Sequence, residues 1–86
     1  MAGPYKLKPG QTQKSIPTWE SPRQTDVCVT NHSDKPGRIS MTAGGSATEF
    51  DDIPVGTIHL SRNFGGVYLA VKNEGLNITI LKVETE

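Results

Sequence analysis

The chain has 86 residues, 34% of them hydrophobic, with nine Lys and Arg balanced by nine Asp and Glu. That length makes one small domain, in which only about 60 to 65% of the unfolded surface is buried, and leaves no room for a second core. Lys6, Lys8, Lys14 and Arg23 against Glu20 make residues 1–24 basic, at +3, while the remainder carries −3; an acidic body without clustered Lys and Arg lacks what counterion release on nucleic acid requires, so no nucleic-acid partner is expected.

Cys28 is the single cysteine, which rules out an intrachain disulfide and favours a reducing, cytoplasmic compartment. No apolar run follows basic residues in the first 24 positions and none is long enough to span a bilayer, so the reading is a soluble chain with no visible signal peptide and no membrane partner. Asn31-His32-Ser33 and Asn77-Ile78-Thr79 match the glycosylation pattern, but three-residue patterns recur by chance. The strand expected around Asn77 argues against its use.

Residues 1–24 hold Pro4, Pro9, Pro17 and Pro22, spacings that forbid a helix and remove strand donors. They read as an extended or disordered basic tail ahead of an all-β domain over 25–86. Within the tail, Trp19 has two readings: an aromatic that anchors the segment on the domain, or one that stacks on a ligand or partner.

From Asp26 the texture changes to short period-2 runs. Val27 and Val29 alternate with Cys28 and Thr30, and a dense loop signal from Asn31 to Gly37 follows. Ile39 and Met41 form a second strand, ended by Ala43-Gly44-Gly45-Ser46, and a third runs about Ala47 to Asp51. After the turn at Asp52-Ile53-Pro54-Val55-Gly56, Thr57 to Ser61 presents Ile58 and Leu60 inward and His59 outward. Val67, Leu69 and Val71, then Leu76, Ile78 and Ile80, read as a hairpin around Asn73-Glu74-Gly75, where Gly supplies a positive φ. Beyond Ile80 the apolar parity slips to Leu81 and Val83, so either a β-bulge lies there or the strand leaves the sheet face. The expected fold is a small antiparallel β-sandwich or barrel of about six strands with an extended Pro-rich N-terminal tail. Its expected core is Val27, Val29, Ile39, Met41, Phe50, Ile53, Ile58, Leu60, Val67, Leu69, Val71, Leu76, Ile78 and Ile80.

Antiparallel strands that each cross the domain once put successive loops at alternate ends. One end gathers 31–37, 52–56 and 73–75, with His32, Asp34, Asp52 and Glu74, and reads as acidic. The other gathers 43–46 and 62–66 and receives the tail near Arg23. There Arg62, Asn63, Phe64 and Ser46 sit beside glycines that allow close backbone approach, a platform for a sugar ring or a protein partner to which Trp19 could add. The plainer reading is that Phe64 caps the core and Gly65-Gly66 only make the turn.

The chemistry of an enzyme is thinly represented. Cys28 and His32 are about 13 Å apart on extended chain, too far to share a metal; Asp51 and Asp52 point to opposite faces; Gly44-Gly45-Ser46 lacks the spacing and following helix of a phosphate loop. Acidic loop tips without a D-x-D-x-D-G run are weak evidence for a cation. No enzyme activity, metal or cofactor is expected. Two functions compete: a non-enzymatic module binding a carbohydrate or protein through the 62–66 and 43–46 loop end, and an assembly subunit that self-associates as a homo-oligomer through lightly charged edge strands and the basic tail.

Overall fold

The computed structural model describes residues 2–86. Its eight strands are β1 (Ala2–Leu7), β2 (Thr12–Ile16), β3 (Thr25–Asn31), β4 (Gly37–Ala43), β5 (Glu49–Ile53), β6 (Gly56–Arg62), β7 (Leu69–Asn73) and β8 (Leu81–Thr85), with one short 3₁₀ turn at Leu76–Ile78. They form two four-stranded antiparallel sheets, ordered β1-β8-β3-β6 and β2-β7-β4-β5. The all-β class expected from alternation is what the chain adopts, and the strand count is two higher than expected. Leu7, Val27, Val29, Leu81 and Val83 of the first sheet pack in one core cluster with Ile16, Ile39, Met41, Ile53, Leu69 and Val71 of the second.

The segment read as a tail is where the two additional strands come from. Ile16 is fully buried and Leu7 nearly so. Proline loses a donor that a central strand needs, but β1 and β2 are edge strands, each with one partner, and an edge has unpaired donors to spare. Pro4 lies in β1 itself, Pro9 follows it, and Pro17 ends β2; the registers slip between Ala2 and Tyr5 and between Gln13 and Ile16. The basic charge of residues 1–24 is therefore laid on the body of the domain, and the end expected to be acidic receives Lys6 and Lys8 beside it.

The expected hairpin of 67–71 with 76–80 does not form. β7 pairs with β2 and β4, β8 pairs with β1 and β3, and residues 74–80 carry the chain from one sheet to the other. The slip of parity after Ile80 marks the true strand: Leu81, Val83 and Thr85 are buried, while Leu76, Ile78 and Ile80 are exposed, Ile78 at 82%. Val67 and Phe50, also expected inside, are exposed. On β5 the inward positions are Glu49, Asp51 and Ile53, of which only Ile53 is fully buried.

Two buried asparagines close one end of the core. Val27-Cys28-Val29-Thr30-Asn31 and Leu69-Ala70-Val71-Lys72-Asn73 share a pattern in which the third inward residue is Asn. Asn31 and Asn73 are 1% and 0% exposed. In each, Oδ1 accepts the backbone N–H two residues on, of Ser33 at 3.0 Å and of Gly75 at 2.9 Å. Asn31 Nδ2 donates to the Lys35 carbonyl at 2.9 Å; Asn73 Nδ2 donates to those of Leu7 at 3.0 Å and Thr79 at 2.7 Å. Carbonyls that turn away from the sheets thus keep partners inside the protein. Asn73 also explains why β7 stops where it does.

Candidate functional site

Loops fall at two poles, as strand parity requires. At one, Asn77 Nδ2 reaches the Pro36 carbonyl at 2.9 Å, the Glu74 N–H donates to the Arg38 carbonyl at 2.9 Å, and the Gly10 N–H to that of Asn73 at 2.8 Å. At the other, the Gly44 N–H donates to the Tyr68 carbonyl at 3.0 Å, Asn63 Nδ2 to Ser21 Oγ at 3.0 Å, and Thr18 Oγ1 to the Val67 carbonyl at 2.6 Å. Segments 17–23, 43–48 and 62–68 therefore meet at this second pole.

A recess of about 170 Å³ opens there between the 43–49 and 62–64 segments. Its wall includes Ser46, Arg62, Asn63 and Phe64, four of the five residues singled out in the sequence, together with Ala43, Ala47 and Glu49. Phe64 is half-buried and leans on the core, so one edge caps apolar residues while the rest faces the recess. Asn63 is held by its own turn, its Oδ1 accepting the Gly65 N–H at 2.9 Å.

Arg62 is engaged. It lies on the inward parity of β6, at the edge of the first sheet, and its guanidinium reaches Glu49 at 3.1 Å and Asp51 at 3.3 Å on β5, at the edge of the second. Alternation predicts an apolar pair at that level, and the chain closes the gap with an ion-pair clip instead. The clip leaves Arg62 a third exposed, with its charge already balanced. A ligand carboxylate would have to displace Glu49 or Asp51; a neutral hydroxyl would not.

Trp19 does not line the recess. It is half-buried on the adjacent segment, its backbone N–H donating to Thr25 Oγ1 at 2.8 Å, and the Arg23 guanidinium covers one ring face at 3.7 Å. That geometry favours the anchoring reading over stacking on a ligand, since one π-face is already occupied by a cation.

The outer face of the first sheet holds a second group of polar side chains. Asp26 Oδ2 lies 2.7 Å from His59 Nδ1, and Ser61 Oγ donates to Asp26 Oδ1 at 2.9 Å. The carboxylate sits between the other two, whereas a nucleophilic triad needs the imidazole in the middle. The hydrogen bond to His59 holds the Asp26 carboxyl below the usual carboxylate range, with Ser61 acting in the same direction. Cys28 is directly across from His59 in the β3–β6 register, but burial pushes its thiol up, reinforced by Glu84 and Asp26. A raised thiol is a poor nucleophile. Among the described residues no three His, Cys, Asp or Glu side chains are grouped so as to hold a metal ion, and no helix is long and apolar enough to cross a membrane.

Residues 5–86 match a family of unknown function, DUF8244. The chain belongs to that family. The matched span takes in the second half of β1 and all of β2 to β8, so the family's unit includes nearly all of the segment that composition alone sets apart as a tail. An uncharacterized protein of Dictyostelium discoideum is 45% identical over 85 residues, covering 99% of both chains. Another from the same organism is 44% identical over 75 residues, covering 87% of this chain and 89% of its own. No solved structure matches.

What the sequence did not single out lies at the opposite pole. Lys6, Lys82, Ile78 and Ile80 converge there on a larger groove. The exposed isoleucines were masked by their regular alternation, and the lysines by the assignment of Lys6 to a tail.

Proposed function

We propose that this chain is a non-enzymatic binding module, a jelly-roll sandwich whose recess between residues 43–49 and 62–64 takes the edge of a sugar ring. The strand order supports the sandwich reading: every consecutive pair except the β4–β5 hairpin swaps between two four-stranded sheets, the arrangement of the double Greek key. The recess carries the functional reading. It sets one half-buried aromatic edge, Phe64, beside the planar polar groups of Asn63, Arg62 and Glu49 and the hydroxyl of Ser46. Neutral hydroxyls can share an existing Arg–carboxylate pair by accepting from one partner and donating to the other, at no cost in unpaired charge.

Glycan-array binding with the wild-type chain and Ser46→Trp tests this. Ser46 is exposed, and it is held by its backbone, N–H to the Ala43 carbonyl at 3.0 Å, so Trp fills the recess without removing that contact. Saccharide binding by the wild type that Ser46→Trp abolishes is the expected outcome; a wild type that binds no glycan retires the sugar reading.

A second reading, self-association as an assembly subunit, draws on the outer face of the second sheet. Thr12, Ser40, Thr42 and Ala70 are small or neutral there, Lys72 and Glu74 offset each other in charge beside them, and Phe50 stands 62% exposed at its edge. Sedimentation velocity over a hundredfold concentration range separates the two, since only the assembly reading requires a species that grows with concentration.

A further inference from the structure

The groove at the pole opposite the recess encloses about 530 Å³, within the range of small-molecule sites and about threefold larger than the recess. Three observations concern it. First, its apolar wall is made by Ile78 and Ile80, which are 82% and 42% exposed. Ile78 has φ 54 and follows Asn77 at φ 56; the left-handed region is rare for any residue with a side chain and an outlier for a β-branched one. Gly or Asn would sit there without strain, so the isoleucine is held against the preference of its own backbone and without burial to compensate.

Second, Lys6 and Lys82 are direct cross-strand partners in the β1–β8 register. Like charges so placed, with Cβ atoms about 4.5 to 5.5 Å apart, repel. Among the described residues Lys6 has no ion pair, and Lys82 has only Glu84 at 3.9 Å. Third, His32 and Ser33 complete the lining. The loop that carries them is tied to the isoleucine segment by the bond from Asn77 Nδ2 to the Pro36 carbonyl. A groove lined by two exposed aliphatic side chains, an imidazole and two ammonium groups, of which only Lys82 has a carboxylate and that at 3.9 Å, is complementary to one kind of molecule.

We propose that this groove binds a single amphiphilic anion, an aliphatic chain carrying a carboxylate or phosphate. The head lies between Lys6 Nζ and Lys82 Nζ and accepts from His32. The chain lies along Ile78 and Ile80 and the methylene stems of the lysines. The site is independent of the recess and of its proposed ligand.

Decanoate titrated into the ¹⁵N-labelled chain below its micellar concentration tests the proposal, with decanol and acetate as probes of each half alone. Saturable shifts confined to residues 6, 32–33 and 78–82 are expected, with decanol and acetate each at least tenfold weaker. Lys6→Gln with Lys82→Gln should weaken decanoate at least tenfold. Ile78→Asn should weaken it several-fold while raising the melting temperature, because Asn relieves the left-handed strain; a fall in melting temperature would instead make Ile78 a structural residue and overturn the argument. Equal affinity for decanoate and decanol sinks the proposal. So does binding seen only with phosphatidylserine vesicles and not with monomeric decanoate, an outcome that assigns the patch to a membrane surface.

Discussion

The two poles of this domain are held together in opposite ways. At the groove pole the fastening is internal: Asn31 and Asn73 reach from the core to the carbonyls of the surrounding loops, and the outer surface is left with Lys6, Lys82 and exposed isoleucines. At the recess pole, beyond the buried hydroxyls of Thr18 and Thr25, the fastening is superficial, through the Arg62 clip to Glu49 and Asp51, Asn63 to Ser21, and Arg23 over Trp19. Buried amides hold a backbone strongly and leave the outside chemically uncommitted; surface pairs hold it weakly and use up the very groups a ligand could engage. Binding capacity and structural fastening are thus separated at one pole and shared at the other.

Substitutions can break this contrast, and the largest effect is expected inside the groove pole. Asn73→Ala strips hydrogen bonds from the Leu7 and Thr79 carbonyls and the Gly75 N–H together, and should cost about 3 kcal/mol, read as a fall of roughly 15 °C in melting temperature for a domain of this size. The loss should be the same at low and high salt. Gly37→Ala comes next: an added Cβ would stand 2.5 Å from the hydroxyl of buried Thr79, so a loss of about 1 to 3 kcal/mol is expected from overpacking. A neutral result there would mean that the groove pole yields more easily than its burial implies.

At the recess pole the expected numbers are smaller and depend on ionic strength. Arg62→Ala should cost about 1 kcal/mol, part of it from lost packing of the stem, with the difference from wild type narrowing in 1 M salt. A loss as large as that of Asn73→Ala would remove the distinction between the poles. The smallest effect concerns the outer face. Because the folded Asp26 carboxyl is held below its ordinary value of 3.8 by His59 and Ser61, its contribution is fully present above that value and is lost as pH falls through the depressed folded one. Asp26→Asn should therefore flatten the acid limb of the stability curve below about pH 4 and leave the Arg62 clip untouched.

How far the sequence foretells this arrangement can be judged residue by residue. Val27, Val29, Ile39, Met41, Leu69 and Val71 alternate, and all six are core; loop parity then brings Ser46 and Arg62 to one recess across 16 positions of chain. Alternation fails where a strand's exposed and buried faces are both aliphatic. Leu76, Ile78 and Ile80 keep a perfect period of two and none is buried, because Asn73 ends β7 and the chain must cross between sheets before Leu81 resumes. The competing signal was present: the slip at Leu81 and a second inward-facing Asn, equivalent to Asn31. Prolines misdirect for a different reason. They exclude a central strand and not an edge strand, and which strands are edges is decided by the whole topology, not by local residues. Arg62 was found for its charge, yet what places it is its inward parity with Ile58 and Leu60, facing Asp51.

The pairing of β1 with β8 and of β2 with β7 bears on how the domain comes into being. Ala2 stands opposite Thr85, and Thr12 opposite Lys72. Because synthesis runs from the N-terminal side, β1 and β2 have no strand to join until β8 and β7 have been made, so the buried side chains of Leu7 and Ile16 lack their sheet partners while the intervening residues are added. Closure of such long loops belongs to the slow end of small-domain folding, on the order of milliseconds to seconds, and a chaperone that shields this segment would act before either N-terminal edge strand is in place.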